Sequence, residues 1–156
     1  YEKYSLKYLI IRYFNTYGPN QNLEFVIRKF IENSLKNKTL IINGNGKQIR
    51  SYTFVSDSAE ATIKLSLLNN VKNLVFNVGN GIDPINLKDL AQKIIKKSKS
   101  KSKIMFLTNF RKSDRKKSRE IFFRYCDTSK LKKYIKWKPK IRIDQGINKI
   151  LKTLKG

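Results

Sequence analysis

"LIIRYFNTYGPNQ", residues 9–21, decides the fold. Its first half, Leu9 to Asn15, is a β-prone run of strand length. It is near-continuous in hydrophobicity, as expected of a parallel strand covered on both faces. The second half breaks at Gly18-Pro19, a turn signal. Asn15 therefore stands at the mouth of a turn, where an amide side chain serves by default as a local cap.

Outward from this strand, elements of both periods alternate. Residues 1–8 read as the end of a helix and a short connector. Phe25 to Leu35 places Phe25, Val26, Phe30, Ile31 and Leu35 on one helical face. "TLIINGNGKQIRSYTFV", residues 39–55, holds two β-prone runs about Gly44-Asn45-Gly46, the chemistry of a hairpin. Asp57 is expected to cap an amphipathic helix ending at Asn69-Asn70. "NLVFNVGNG" reads as a buried strand, and "PINLKDLAQKIIKKS" as a helix with Leu87, Leu90, Ile94 and Ile95 on one face. Residues 97–103, "KSKSKSK", read as a solvated loop, and "KIMFLT" as a strand. A basic polar loop, an extended "IFFRYCD", a helix capped by Asp127, an extended "WKPKI" and a closing helix complete the chain. Strands alternating with helices predict an α/β fold.

The 156 residues suffice for about one domain. A chain that begins at Tyr1 and whose one methionine is Met105 is expected to be a piece of a longer one. No apolar run approaches the ~18 residues a membrane helix needs, nothing resembles a signal peptide, and the single cysteine, Cys126, allows no internal disulfide. A cytoplasmic setting is the expectation. The absence of histidine removes the usual zinc sites and the histidine-based nucleophile sets. The net charge of +24 invites a nucleic-acid reading. Lysine, isoleucine and asparagine are abundant and the basic residues are spread along nearly every segment, which fits AT-rich coding better than a recognition element.

In order and spacing, "IIRYFNTYGPNQ", "FVIRKFI", "LIINGNGKQIRSYTFVSDSAEA", "VFNVGNG", "INLKDLAQKI" and "DTSKLKKYIKWKPKI" resemble the C-terminal half of the extended short-chain dehydrogenase/reductases, the NAD-dependent nucleotide-sugar epimerases and dehydratases that include UDP-glucose 4-epimerase. The resemblance covers nearly the whole chain. It implies an α/β, partial Rossmann-like fold: residues 1–22 would be the last helix turn and strand of a cofactor-binding domain, and residues 23–156 mainly the nucleotide-sugar-binding portion. It implies a UDP- or dTDP-sugar as ligand, NAD held mainly by another part of the enzyme, and a homodimer.

The resemblance also implies site residues. Asn15 would contact the sugar nucleotide, with Tyr13 and Thr16 on the nicotinamide side. A neutral amide can both donate to an oxygen and accept from a hydroxyl. Arg50 would reach the diphosphate, for which a guanidinium fork is suited. Tyr52, expected on the same strand face, would border the nucleotide or else be a half-buried strand residue. Phe25 and Val26 would pack near the base or in the core. A further phosphate ligand would be Arg111, spaced from Asp114 as in the family's Arg-x-x-Asp pair. Lys117 with Glu120 is the alternative, which fits the downstream length but lacks the fork. Trp137 and Pro139 match a packing segment.

Hydride chemistry in such enzymes needs a dinucleotide fingerprint and a Tyr-x-x-x-Lys pair. Gly44-x-Gly46 and Gly79-x-Gly81 lack the third glycine and the strand-to-helix setting. Tyr134 and Lys138 have the right spacing but fall at a helix end beside Pro139. The expectation is a chain that binds substrate and is inactive alone. A basic nucleic-acid-binding protein and a non-catalytic remnant binding module are the competing readings.

Overall fold

A computed structural model describes residues 3–4, 7–69, 74–107 and 121–155. Among the described residues nine strands and five helices follow in the order β1 (Leu9–Tyr13), β2 (Thr16–Tyr17), α1 (Val26–Leu35), β3 (Leu40–Asn43), β4 (Ile49–Arg50), β5 (Thr53–Phe54), α2 (Val55–Ser66), β6 (Leu74–Val78), β7 (Ile85–Asn86), α3 (Leu87–Ser98), β8 (Ile104–Leu107), β9 (Phe123–Arg124), α4 (Ser129–Tyr134) and α5 (Ile143–Lys155). The α/β expectation holds, and the pairing is mostly parallel. β1 lies along β6 with Leu9 opposite Leu74 and Tyr13 opposite Val78. β2 pairs with β5, and β3 with β8. β4 is the centre of a three-stranded sheet, antiparallel to β7 and parallel to β9. Among the described residues no helix is long and apolar enough to cross a membrane.

Two hydrophobic clusters form the interior. The larger joins α1, α3 and α5 to β3 and β5 through Ile27, Phe30, Ile31, Leu40, Ile42, Phe54, Leu90, Ile94, Ile147 and Ile150, with Tyr17 and Tyr52 at its edge-on aromatic corner. The smaller packs α2 and α4 against β6 through Ala61, Leu65, Phe76, Val78, Leu131, Ile135 and Trp137.

Several expectations are corrected. Among the described residues β1 is covered on one face: Leu9 and Ile11 pack on the smaller cluster, toward α2 and α4, while Ile10 is 46% exposed. In α1 the buried face is Ile27, Phe30, Ile31 and Ser34. Phe25 sits one residue before the helix in extended conformation and is 57% exposed, which removes its core role. β3 and β4 do not pair as a hairpin; each finds a partner distant in sequence.

Asp57 is not a cap, since Phe54 precedes the helix and Asp57 lies in its first turn. Its buried Oδ2 instead accepts from the backbone N–H of Lys140 (3.1 Å) and Ile141 (2.9 Å), and its carbonyl accepts from Trp137 Nε1 (3.1 Å). A second carboxylate, Asp83, accepts from the Ile143 N–H at 3.2 Å at the start of α5. The connector 137–143 is thus clipped to the body by acceptors 60 to 84 residues away in the chain.

Asp127 stands one position ahead of the N-cap Thr128 and accepts from the Ser129 N–H at 2.8 Å. That bond holds its carboxyl below the usual range. The stretch 97–103 is not a solvated loop: α3 runs through Ser98, and Ser98 and Ser102 are buried. The expected terminal helix turn falls largely on residues 1–2 and 5–6, and the basic loop on 109–120, all outside the described residues.

Candidate functional site

The site is built at the carboxyl ends of the parallel strands β1 and β6, where open α/β sheets bind ligands. The Phe14 N–H bonds the Val78 carbonyl at 3.0 Å and extends the β1–β6 pairing by one residue. The chain then turns at Asn15, whose φ of 42° lies in the left-handed region that asparagine tolerates better than most residues. This single turn carries the backbone from one sheet to the next, β2–β5.

The turn is fixed by three segments. Asn15 Nδ2 donates to the Ser51 carbonyl at 2.9 Å, and the Asn15 carbonyl accepts from the Thr53 N–H at 3.2 Å. Thr53 Oγ1 donates to the Phe14 carbonyl at 3.0 Å and accepts from the Asn80 N–H at 2.8 Å. Thr53 and Asn80 are both buried. An amide nitrogen has two N–H donors, so Asn15 keeps one beyond the bond to Ser51. Gly79 is required here by close approach: a Cβ would fall 2.8 Å from Phe14 Cβ and 2.7 Å from Cys126 Cβ.

Tyr13 and Thr16 face α2. The Tyr13 hydroxyl is 2.7 Å from Thr62 Oγ1, and Thr16 Oγ1 is 2.9 Å from Ser58 Oγ. Asn15, between them, faces the 51–53 segment instead. Tyr13 and Thr16 thus bond one side of the turn and Asn15 the other.

Arg50 lies in β4, next to the Ser51 that Asn15 holds. Its guanidinium donates to the carbonyls of Ile49 (2.7 Å), Ile121 (2.6 Å) and Phe122 (3.3 Å). It therefore faces the chain immediately after the stretch that contains Arg111, Asp114, Lys117 and Glu120, four candidates that lie outside the described residues. Phe25 and Val26 stand at the start of α1, beyond the Gly18-Pro19 turn, with Val26 half-buried. Gln21 Nε2 donates to the Thr16 carbonyl at 2.9 Å and ties that turn back to the strand exit.

Tyr52 does not share a strand face with Arg50. β4 ends at Arg50, and the crossing to β5 sends Tyr52 into the larger core, 7% exposed and edge-on to Tyr17 with ring centroids 6.3 Å apart. Burial pushes the Tyr52 phenol up to about 12, with the Arg50 charge pulling in the opposite direction. Cys126 is raised to about 12, by burial first and then by the Asp127 charge, so it is a packed thiol rather than a nucleophile.

The glycine pairs do not form a dinucleotide cradle. Gly44 and Gly46, with φ of 80° and 73°, link β3 to β4, and Gly79 and Gly81 pack on Cys126 between β6 and β7. Neither opens a helix toward a phosphate. Sequence reasoning missed Ser51, Thr53 and Asn80. The signal available for Asn80 was a strand ending in "VGNG".

Parallel strands, their covering helices and a polar strand exit at a sheet crossing define a Rossmann-like α/β protein. The family model described as GDP-mannose 4,6 dehydratase matches residues 1–150, and the chain belongs to that family. It is 32% identical over 146 residues to a UDP-glucuronate 4-epimerase of Thermodesulfobacterium geofontis, covering 94% of this chain and 42% of that protein. It is 34% identical over 154 residues to a UDP-N-acetyl-alpha-D-glucosaminuronate decarboxylase of Bacillus cytotoxicus, covering 97% and 47%. Among solved structures, a UDP-glucuronic acid 4-epimerase from Bacillus cereus in complex with UDP-glucuronic acid and NAD superposes with a TM-score of 0.84 at 24% identity, covering 98% of this chain and 48% of that one. The chain thus spans about half the length of the relatives it matches.

Proposed function

We propose that this chain is the substrate-binding portion of a nucleotide-sugar epimerase or dehydratase that works by NAD-dependent hydride transfer, and that the chain alone is inactive. The observation that carries this reading is the meeting of Asn15, Ser51–Thr53 and Asn80 at the carboxyl ends of β1 and β6, with Arg50 one residue from the junction. The junction has a donor amide on one side and, on the other, a guanidinium that here donates to the carbonyls of Ile49, Ile121 and Phe122 and would exchange those bonds for phosphate oxygens. A diphosphate matches that pair, because its charge is spread over oxygens that an arginine fork can bond two at a time.

In the proposed complex Asn15 donates its remaining N–H to the sugar nucleotide, Arg50 and Arg111 hold the phosphates, and Phe25 and Val26 flank the base. Tyr52 contributes from below by packing the floor of the junction. Tyr13 and Thr16, locked to α2, form the edge facing the nicotinamide. Bound NAD would supply a hydride acceptor for a sugar carbon; the Tyr/Lys pair and the dinucleotide cradle would belong to another part of the complete enzyme. UDP- or dTDP-sugars are the proposed substrates, the complete enzyme is proposed to be a homodimer, and the cytoplasm its setting.

The test is calorimetric. A hydrogen bond to a charged group contributes about 1.5–3 kcal/mol, so Arg50→Ala in the complete enzyme is expected to weaken UDP-sugar binding roughly 10- to 100-fold. Unchanged affinity with a folded variant overturns the assignment.

A further inference from the structure

The lysine–serine repeat at residues 97–103 is left without a role by the proposed site, and the structure orders it. Its serines turn inward: Ser98 Oγ is 2.6 Å from Ser34 Oγ and donates to the Ile94 carbonyl, and Ser102 N–H donates to Ser100 Oγ at 3.0 Å. Asn37, at φ 51°, accepts from Ser100 Oγ (3.0 Å) and from the Lys101 N–H (2.8 Å) on one oxygen. The Leu40 N–H bonds the Lys103 carbonyl at 2.8 Å. Lys99, Lys101 and Lys103 are thereby presented outward in alternation with serines, beside exposed Lys36 and Lys38 on the α1 end. Lys36 meets Glu32 at 3.5 Å; among the described residues Lys38, Lys99, Lys101 and Lys103 enter no ion pair.

These lysines sit at the amino-terminal end of the β3–β8 pair, whose outer face carries Ile41, Met105 and Leu107 beside the exposed Asn43. Ile41 is opposite Met105 in the register, and they are 45% and 50% exposed; Leu107, two residues on, is 37% exposed. Exposed apolar groups beside a row of solvated ammonium groups suit a surface that is anionic at its headgroups and apolar just beneath. A nucleic-acid backbone would match the lysines but leave Ile41 and Met105 without a partner. Lysine, a point charge without a fork, suits such sequence-blind contact.

We propose that the lysine row and the Ile41–Met105 face together form a docking surface for an anionic lipid bilayer. This is independent of the sugar-nucleotide reading. The test is sedimentation of the chain with vesicles of phosphatidylcholine containing phosphatidylglycerol, against phosphatidylcholine alone. Three variants are compared, each checked for folding by circular dichroism: Lys99→Gln/Lys101→Gln/Lys103→Gln; Ile41→Ser/Met105→Ser; and, as a control of equal charge change, Lys130→Gln/Lys132→Gln/Lys133→Gln on α4.

The expected result is binding to anionic vesicles only. It should be weakened roughly tenfold or more by the first variant, weakened by the second, and kept by the control. Absence of binding to anionic vesicles overturns the proposal, as does equal loss in the first and control variants, which would mean total charge alone. Unchanged binding in the second variant also overturns it. So does tighter binding to a DNA oligonucleotide at the same salt that the first variant abolishes, which would make the partner a nucleic acid.

Discussion

The two hydrophobic clusters are built differently. The larger is closed: three helices surround it, and Ile31, Leu40, Ile42, Leu90, Ile94 and Ile147 are fully buried. The smaller is a one-sided stack, α2 and α4 on one face of β1–β6, while Ile10 on the opposite face of β1 is 46% exposed. The candidate site lies neither inside one nor the other but where the chain crosses between them, at Asn15 and at Ser51–Thr53. A closed cluster gives rigidity, a one-sided sheet offers an edge, and the polar crossing is where a ligand can meet both.

The sharpest way to break this contrast is to damage the closed cluster. Phe30→Ala removes a fully packed ring and is expected to cost about 3–5 kcal/mol, read as a fall in the urea midpoint by far-UV circular dichroism. A smaller loss with no change in midpoint would mean that the α1–α3–α5 packing is not the main source of stability.

Next in size is the clip between the clusters. Asp57→Ala leaves two part-buried N–H groups at Lys140 and Ile141 without their acceptor and is expected to cost about 1–3 kcal/mol. Trp137, the one tryptophan, belongs to the smaller cluster. In this variant its fluorescence transition should precede loss of helix signal. Coincident transitions would show that other contacts hold the clusters together.

The pH response should expose the closed cluster's tyrosine corner. Tyr52 moves from 10.0 up to about 12 and Cys126 from 9.0 up to about 12, and Tyr17 is raised as well, by burial first and then by Asp83, Asp57 and Asp144. A folded state that favours the neutral acid keeps this stability fully below the unfolded pKa and loses it as pH rises through the folded one. The melting temperature should therefore decline from about pH 9 upward, and Tyr52→Phe should flatten the decline. No change with Tyr52→Phe would count against its burial.

The smallest effect concerns Asp144. Burial raises its carboxyl, but bonds from Lys93 and Lys97 outweigh this and hold it below the usual range. The side chain is 45% exposed, so screening applies and Asp144→Asn is expected to cost less than about 1 kcal/mol. A larger loss in thermal melts would give this surface network a structural role it is not assigned.

The elements that local pattern specifies were legible in the sequence: β1, β6 and β8 as short apolar runs, α3 by an apolar face of period 3.6, and α5 as a closing helix. What escaped depends on partners far along the chain. Gly44-Asn45-Gly46 has hairpin chemistry, yet β3 pairs with β8 and β4 with β7 and β9, because those pairings close the larger core. Asp57 looks like a helix cap from its neighbours, and only the fold brings residues 140–141 to it. At the site, Asn15 was legible as a strand-exit amide. Thr53 and Asn80 were not, since a threonine bridging two other strands leaves no local mark.

The central claim is that a sugar-nucleotide diphosphate is bound at the crossing between the clusters. The direct measurement is a two-dimensional amide NMR titration of the chain with UDP. Shifts concentrated at residues 15, 50–53 and 80, lost in Arg50→Ala, are the predicted result. Shifts confined to the lysine row at 36–38 and 99–103, or none at saturating UDP, would contradict it.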